Sequence, residues 1–564
     1  MDNQRNLILA IALSALVLLG WTYGSSYFLP TPEKPAVTST TGQVAPGTGV
    51  ADKATAIRPR ELVLGETPRV TIETPRLSGS LNLRGARIDD LVLTDHRATM
   101  DEKSPPVRLL SPAGTPDAQF ATFGWTGEGV EFPSAETLWT SDGTRLTPQT
   151  PVTLSWSNTT GQQFRIKLSI DENYMFAVEQ TVANAGNGPV AVRPYGIISR
   201  DGVSKDASTW TMHTGPVGVF NGAANYDVDF DDLAELGPAG ERFNTRGGWI
   251  GFGDKYWLTA LVPPQNMSVD AAFRSGGNNR YQAEVAEPVT ILSPGKQLST
   301  SEHLFAGAKE VGVLDAYEES LGIPQFDKAI DWGWFYWFER PIFSILSKLF
   351  ELTGNFGVAI ILLTILVRGL MFPLAQKQFK SMAAMRVVQP KMKALQERYK
   401  DDRAKLQQEM LALYQAEKIN PLAGCLPIFL QIPIFYALYK VLMLSIEMRH
   451  QPFALWIQDL SAPDPLTPVN LFGLLPFDPP GFLHLGILPI LLGITMFLQF
   501  RLNPQPMDAT QKQVFSIMPW VLMFVMAPFA AGLQLYWVVS NLLTIAQQKW
   551  LYSRYPGLKP EDKK

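Results

Sequence analysis

The chain has 564 residues, 48 basic and 52 acidic side chains for a net charge of −4, and one cysteine, Cys425. That length requires two or more domains. One cysteine excludes an internal disulfide framework and a multi-cysteine metal site, and the charge gives no sign of a nucleic-acid binder.

A mean hydropathy near zero hides two unlike halves, a polar first half and an apolar second half. The first apolar run is "LILAIALSALVLLGWTYGSSYF", Leu7 to Phe28. Its preceding flank holds one acid and one base, and no A-x-A site follows, which favours an uncleaved anchor over a signal peptide. Trp21, Tyr23, Tyr27 and Phe28 suit an interfacial belt. An anchor over 1–28 is therefore expected, then a Pro-, Thr- and Gly-rich linker over 29–58 that cannot bury a core.

From 59 to 315 short alternating runs such as "RVTIET", "VTLSWS" and "FRIKLSI" are punctuated by Gly, Pro, Asn and Asp. That pattern predicts a large antiparallel all-β domain, a sandwich or a barrel. "DVDFDD", Asp227 to Asp232, begins like a calcium loop, but Asp232 stands where Gly is needed and Pro238 where Glu is needed. A solvated acidic loop is the better expectation. "GGWIGFG", Gly247 to Gly253, lacks a complete dinucleotide fingerprint and reads as a turn beside an aromatic strand.

Over 316–352 the period becomes helical, and "DWGWFYWFERPIFSILSKLF" predicts an amphipathic helix lying in the headgroup region. A helix docked on the β-domain is the plainer alternative. A helical core over 353–552 follows, with apolar stretches near 354–374, 424–446, 484–501, 515–530 and 532–551. With the anchor these make six spans.

The loop between the second and third spans is rich in Lys and Arg, among them Lys391, Lys393, Arg398, Lys400 and Lys405. It should be cytoplasmic. Met385, Val388, Met392 and Leu395, then Leu406, Met410, Leu413 and Tyr414, predict a helical hairpin within 375–421, turned at "RYKDDR". Its basic surface reads equally as positive-inside charge or as a docking surface for an anionic partner such as ribosomal RNA or lipid headgroups. "SAPDPLTPVNLFGLLPFDPPGFLHL" carries no Lys or Arg and should lie outside. Six spans then place both termini, including the 553–564 tail, in the cytoplasm and the β-domain in the periplasm.

Arg368 lies within the second span. It is about 8 Å from the end near Pro373 at the helical rise, so it could snorkel to the interface. It could equally face a wet cavity inside the bundle, with Thr364 one turn away on the same face. No intramembrane Asp or Glu offers a fixed partner, which suits a site whose negative partner arrives from elsewhere. Gln431, Gln499, Ser540, Asn541, Gln547 and Gln548 add polar groups, each alone a candidate for interhelical hydrogen bonding. His96, His213, His303, His450 and His484 are scattered, and no P-loop, G-x-S-x-G or H-E-x-x-H is present. No catalytic group, cofactor or metal is expected, and the chain does not read as an enzyme.

"LLTILVRGLMFPL", "QPKMKALQERYKDDRAKLQQEMLALYQAEKINPLAGCLPIFLQIPIFYALYKVL", "FALWIQDLSAPDP" and "GLQLYWVVSNLLTIAQQ" closely resemble the YidC-type membrane protein insertases of the YidC/Oxa/Alb family. The match covers nearly the full length and is most specific over 326–552. The resemblance implies a multi-domain membrane protein. An all-β periplasmic supersandwich, similar to sugar-binding and mutarotase-like domains, would join an α-helical transmembrane core with a cytoplasmic helical hairpin.

The core would form a groove open to cytoplasm and lipid. Arg368 matches the family's groove arginine. Thr364, Phe435, Leu492, Tyr536 and Trp537 fall where the family contacts an entering segment. Leu492 stands where Met is common, and Trp537 where a second Tyr is common. Both keep apolar bulk, but a need for a tyrosine hydroxyl at 537 would not survive.

The implied partners are nascent membrane proteins, the ribosome, the Sec translocon and the lipid bilayer, with no specific DNA and a monomer when acting alone. The implied location is the inner membrane. The outer loop 466–483 is a further departure with no implied role. An anion transporter using Arg368 and a glycan-binding protein with a membrane tail are the rival readings. The first lacks internal repeats, and the second leaves Arg368 and the basic hairpin unexplained.

Overall fold

The computed structural model describes residues 57–554, apart from 102, 207–211, 401, 418–425, 473, 476, 478–484 and 503–508. The expected anchor, nearly all of the linker, Cys425, the end of the outer loop and most of the C-terminal tail lie outside the described residues.

Between Arg69 and Ala308 the chain forms two sheets, of eleven and nine strands. Val190–Asp201 lies inside the first and pairs antiparallel with Gln119–Glu128 and Arg280–Ala286. Met175–Asn184 lies inside the second, between Gln162–Ile170 and Gln297–Ala308. One pairing is parallel, Arg69–Glu73 with Arg145–Leu146.

The alternation in "QQFRIKLSI" puts Phe164, Ile166, Leu168 and Ile170 on one buried face, because successive strand side chains point to opposite sides. The register sets Phe176 beside Ile170 and Val182 beside Phe164. Each such side chain contributes about 1.5–3 kcal/mol on leaving water. Two buried glutamines tie the sheets together. Gln180 Nε2 donates to the Gly124 carbonyl at 2.8 Å, and Gln119 Nε2 donates to Thr259 Oγ1 at 2.8 Å.

A short helix, α1 (Arg60–Gly65), precedes the first strand, and another, α2 (Phe230–Leu236), interrupts the β-region. The acidic stretch 227–232 is not an open loop. Asp229 caps α2, accepting from the Asp232 amide at 2.8 Å, while the Asp232 carboxylate accepts from the Asp229 amide at 3.1 Å. Gly247 and Gly248 form a turn with φ of 64° and 87° before the strand Trp249–Gly253. A Cβ at Gly248 would stand 2.0 Å from the Val219 carbonyl oxygen, so no other residue fits there.

The expected helix over 316–352 is two helices, α3 (Val311–Leu321) and α4 (Tyr336–Thr353). Gly322 in the left-handed region ends α3, and Pro324 follows two residues later. α3 docks on the β-domain through buried Val311 and Leu314, with the Tyr317 hydroxyl donating to Asp171. α4 buries Ile342, Phe343 and Leu346 and leaves Trp337 exposed, as is Trp334 just before the helix.

α5 (Phe356–Arg398) is one helix of 43 residues. The sequence suggested a span ending near Pro373 and a separate hairpin helix after it. Instead α5 runs through Pro373 and Pro390, each of which removes one intrahelical hydrogen bond without ending the helix. Among the described residues, Phe356–Gln376 is the one helical stretch long and apolar enough to cross a membrane. α6 (Arg403–Ala416) follows the turn and is capped by Asp402, which accepts from the Lys405 amide at 3.0 Å. The remaining helices are α7 (Leu426–Leu444), α8 (Ile487–Leu502), α9 (Ala509–Met526) and α10 (Ala531–Arg554).

The β-domain and the helices join through residues 445–450. Glu447 accepts from the Val311 amide at 2.9 Å and so caps α3 from across the junction. Arg449 donates to the carbonyls of Arg97 and Ala98 at 2.9 and 3.0 Å, and its guanidinium lies 5.4 Å from the Trp257 ring centroid. The β-domain is therefore attached to the helices by directional hydrogen bonds as well as by the chain.

Candidate functional site

Arg368 points from α5 toward α10. Its Nε donates to Ser540 Oγ at 2.9 Å, and Nη2 donates to the same oxygen. Ser540 is buried. Among the described residues no carboxylate lies within ion-pair distance of Arg368. A serine oxygen accepts hydrogen bonds but carries no formal charge, so the guanidinium keeps its full positive charge. One turn earlier on α10, the Tyr536 hydroxyl accepts from Gln431 Nε2 of α7. α10 is thus linked to both α5 and α7 through polar side chains.

The six residues singled out from the sequence fall into two groups. Arg368, Phe435 and Trp537 are half-buried, and the Phe435 and Trp537 rings lie 4.8 Å apart. Thr364, Leu492 and Tyr536 are buried, at 0%, 0% and 1% exposure. Thr364 shares the face of Arg368, but its hydroxyl donates to the Ile360 carbonyl at 2.6 Å on its own helix. Leu492 lies one turn before Thr495, which accepts from Asn541 of α10 at 3.1 Å. The accessible surface of the set is therefore one cation and two aromatic rings.

Of the other polar residues, Ser540, Gln431 and Asn541 make interhelical hydrogen bonds. Gln547 Nε2 and Gln548 Oε1 are buried without a hydrogen-bond partner among the described residues.

Sequence reading passed over a second buried cation. Lys440 of α7 is 1% exposed, and its ammonium donates to the Asp331 carbonyl at 2.6 Å and lies 4.0 Å from the Asp331 carboxylate. Asp331 also accepts from the His213 amide at 2.9 Å, so it bridges the β-domain and α7. Glu339 of α4 is 0% exposed, and among the described residues neither of its carboxylate oxygens has a hydrogen-bond partner. Burial pushes its carboxyl up to about 7, against the opposing charge of Lys440. A lysine inside "FYALYKVLML" was the signal. It is the same signal that marked Arg368.

Residues 69–345 match the family model of the YidC periplasmic domain, and residues 348–558 match that of the 60Kd inner membrane protein. The membrane protein insertase YidC of Zymomonas mobilis is 52% identical over 554 residues, spanning 98% of this chain and 96% of that protein. The chain belongs to the YidC family. The membrane protein insertase YidC of Rhizobium etli is 46% identical over 587 residues, spanning 100% of this chain and 97% of that protein.

Among solved structures, an active YidC insertase with its first transmembrane domain resolved aligns at TM-score 0.36 and 18% identity, over 85% of this chain and 92% of that one. A galactose mutarotase-like protein from Lactobacillus casei aligns at TM-score 0.29 and 12% identity, over 42% of this chain and 99% of that one. Both scores are too low to add to the assignment to the YidC family.

Proposed function

We propose that the chain is an insertase: it receives apolar segments of nascent membrane proteins and releases them into the lipid bilayer. The observation that carries this reading is Arg368, a cation in a membrane-length apolar helix held by a serine hydroxyl rather than a carboxylate. Its charge stays available to an acidic group that arrives with the substrate. Phe435 and Trp537 supply an apolar surface for the entering helix, while Thr364, Leu492 and Tyr536 are buried.

The driving force needs no nucleotide. Each Leu, Ile or Phe of a substrate helix contributes about 0.3–0.6 kcal/mol on entering the bilayer. The barrier is the polar tail that must cross first, and a hydrated cleft shortens its apolar path. In this reading the protein is not an enzyme, and the helices form a multi-span core of the inner membrane. The β-domain is periplasmic and both termini are cytoplasmic. The basic α5–α6 hairpin meets the ribosome or the substrate on the cytoplasmic side, with the Sec translocon as an optional partner.

The test is insertion into proteoliposomes of a single-span substrate with a short acidic tail. Purified protein is expected to protect the tail from external protease, and Arg368→Ala to lower that protection at least fivefold. Equal protection in protein-free liposomes would refute the proposal.

A further inference from the structure

We propose that Ser540 is a positioning residue that turns the guanidinium of Arg368 toward the acidic group of an entering segment. It sets the preference for acidic over neutral tails. The inference rests on the insertase reading above.

A guanidinium has five N–H donors in a planar fork. Ser540 Oγ takes one from Nε and one from Nη2, so a single oxygen grips the side edge of the fork. The terminal edge, with a donor on each Nη, is not the edge that Ser540 engages. That edge has the geometry of bidentate carboxylate recognition. Without the serine the same charge would sit on a long side chain free to reorient, and orientation would have to be fixed anew for each substrate.

Ser540 is itself held firmly. It is 1% exposed, and its carbonyl accepts from the Thr544 hydroxyl at 2.8 Å. The turn before it is fixed by the hydrogen bond between Tyr536 and Gln431. An Asp in place of the serine would neutralise the cation, and an alanine would release it. A hydroxyl does neither, because it orients the charge and leaves it unpaired.

The experiment uses the full-length protein in proteoliposomes with two substrates that differ only by Asp or Asn in the translocated tail. The readout is the ratio of Asp-tail to Asn-tail insertion, which a general loss of folded protein does not move. Ser540→Ala is expected to lower the ratio about fivefold, because the guanidinium must then be ordered anew for each acidic tail. Ser540→Thr should restore it, and Arg368→Lys should lower it as Ser540→Ala does.

A wild-type ratio in Ser540→Ala, with a collapsed ratio in Arg368→Ala, would overturn the role of Ser540 and leave the reading of Arg368 standing. Equal loss for both substrates in Ser540→Ala would also overturn it, assigning the serine to helix packing alone. A wild-type ratio in Arg368→Ala would instead remove the pairing role of the arginine itself.

Discussion

Replacing Lys440 by Met tests how the helices and the β-domain are held together. The methionine keeps most of the volume of the lysine stem, so packing changes little. What is lost is the ammonium, which donates to the Asp331 carbonyl and stands near its carboxylate. One hydrogen bond from a charged donor is worth about 1.5–3 kcal/mol. Glu339 adds less than a bare buried charge would. Its carboxyl already lies at about 7, so at pH 7.5 it can take up a proton in the variant. Removing the cation raises that carboxyl further and favours its protonated form, which at about 1.4 kcal/mol per unit of pKa limits the extra loss to about 1 kcal/mol.

The total loss is about 3 kcal/mol. At about 2 °C per kcal/mol for a folded unit of this size, Tm in detergent should fall by about 6 °C. Adding Glu339→Gln should recover about 2 °C, because no buried carboxyl then remains to be discharged. The assay is tryptophan fluorescence against temperature at pH 7.5. A fall of less than 1 °C in Lys440→Met would refute the reasoning, and no recovery in the double variant would separate Glu339 from Lys440.

Two further outcomes follow from the same geometry. The carboxyl of Glu339 binds its proton more tightly in the folded protein, at about 7 against an ordinary 4.5, so its contribution to stability is present at low pH and is lost as pH rises through 7. The Tm difference between wild type and Glu339→Gln should therefore widen between pH 5 and 7.5 and then level off, and a difference that stays constant over that range would contradict the burial argument. Arg449→Ala removes two hydrogen bonds across the junction and a cation over Trp257. Amide exchange in residues 445–450 should rise about tenfold, Arg449→Lys should recover only part because a lysine lacks the planar fork, and unchanged exchange would show that the junction does not depend on this residue.

What could be read in advance was periodic. Alternation in "FRIKLSI" exposes a strand with one buried face, and the Gly pair before "WIGFG" exposes a turn, because both signals lie within a few residues. The helix start at Arg403 is equally local, since Asp402 caps it. The continuation of α5 through two prolines was not legible. Proline weakens a helix locally, and only the packing of the residues on either side decides whether the helix ends. Gly322 and Pro324 divide the 316–352 region into two helices, a break that an amphipathic period alone does not show.

At the site, Arg368 was conspicuous as a charge in an apolar run. Its partner was not, because Ser540 is 172 residues away and no periodicity links two helices. Thr364 shows the limit of reasoning by helical face. It shares the face of Arg368, yet its hydroxyl is used by its own backbone. Lys440 is visible by the rule that marks Arg368, but its partners Asp331 and Glu339 come from other segments.

The most direct measurement is site-specific photo-crosslinking to a stalled ribosome–nascent chain that exposes one short apolar segment. Probes belong at Phe435 and Trp537, the half-buried aromatic pair, with exposed Leu352 of α4 as the control. Insertion along this surface predicts strong adducts at both probes, weakened by Arg368→Ala only when the substrate tail is acidic. Adducts no stronger than at Leu352 would contradict it.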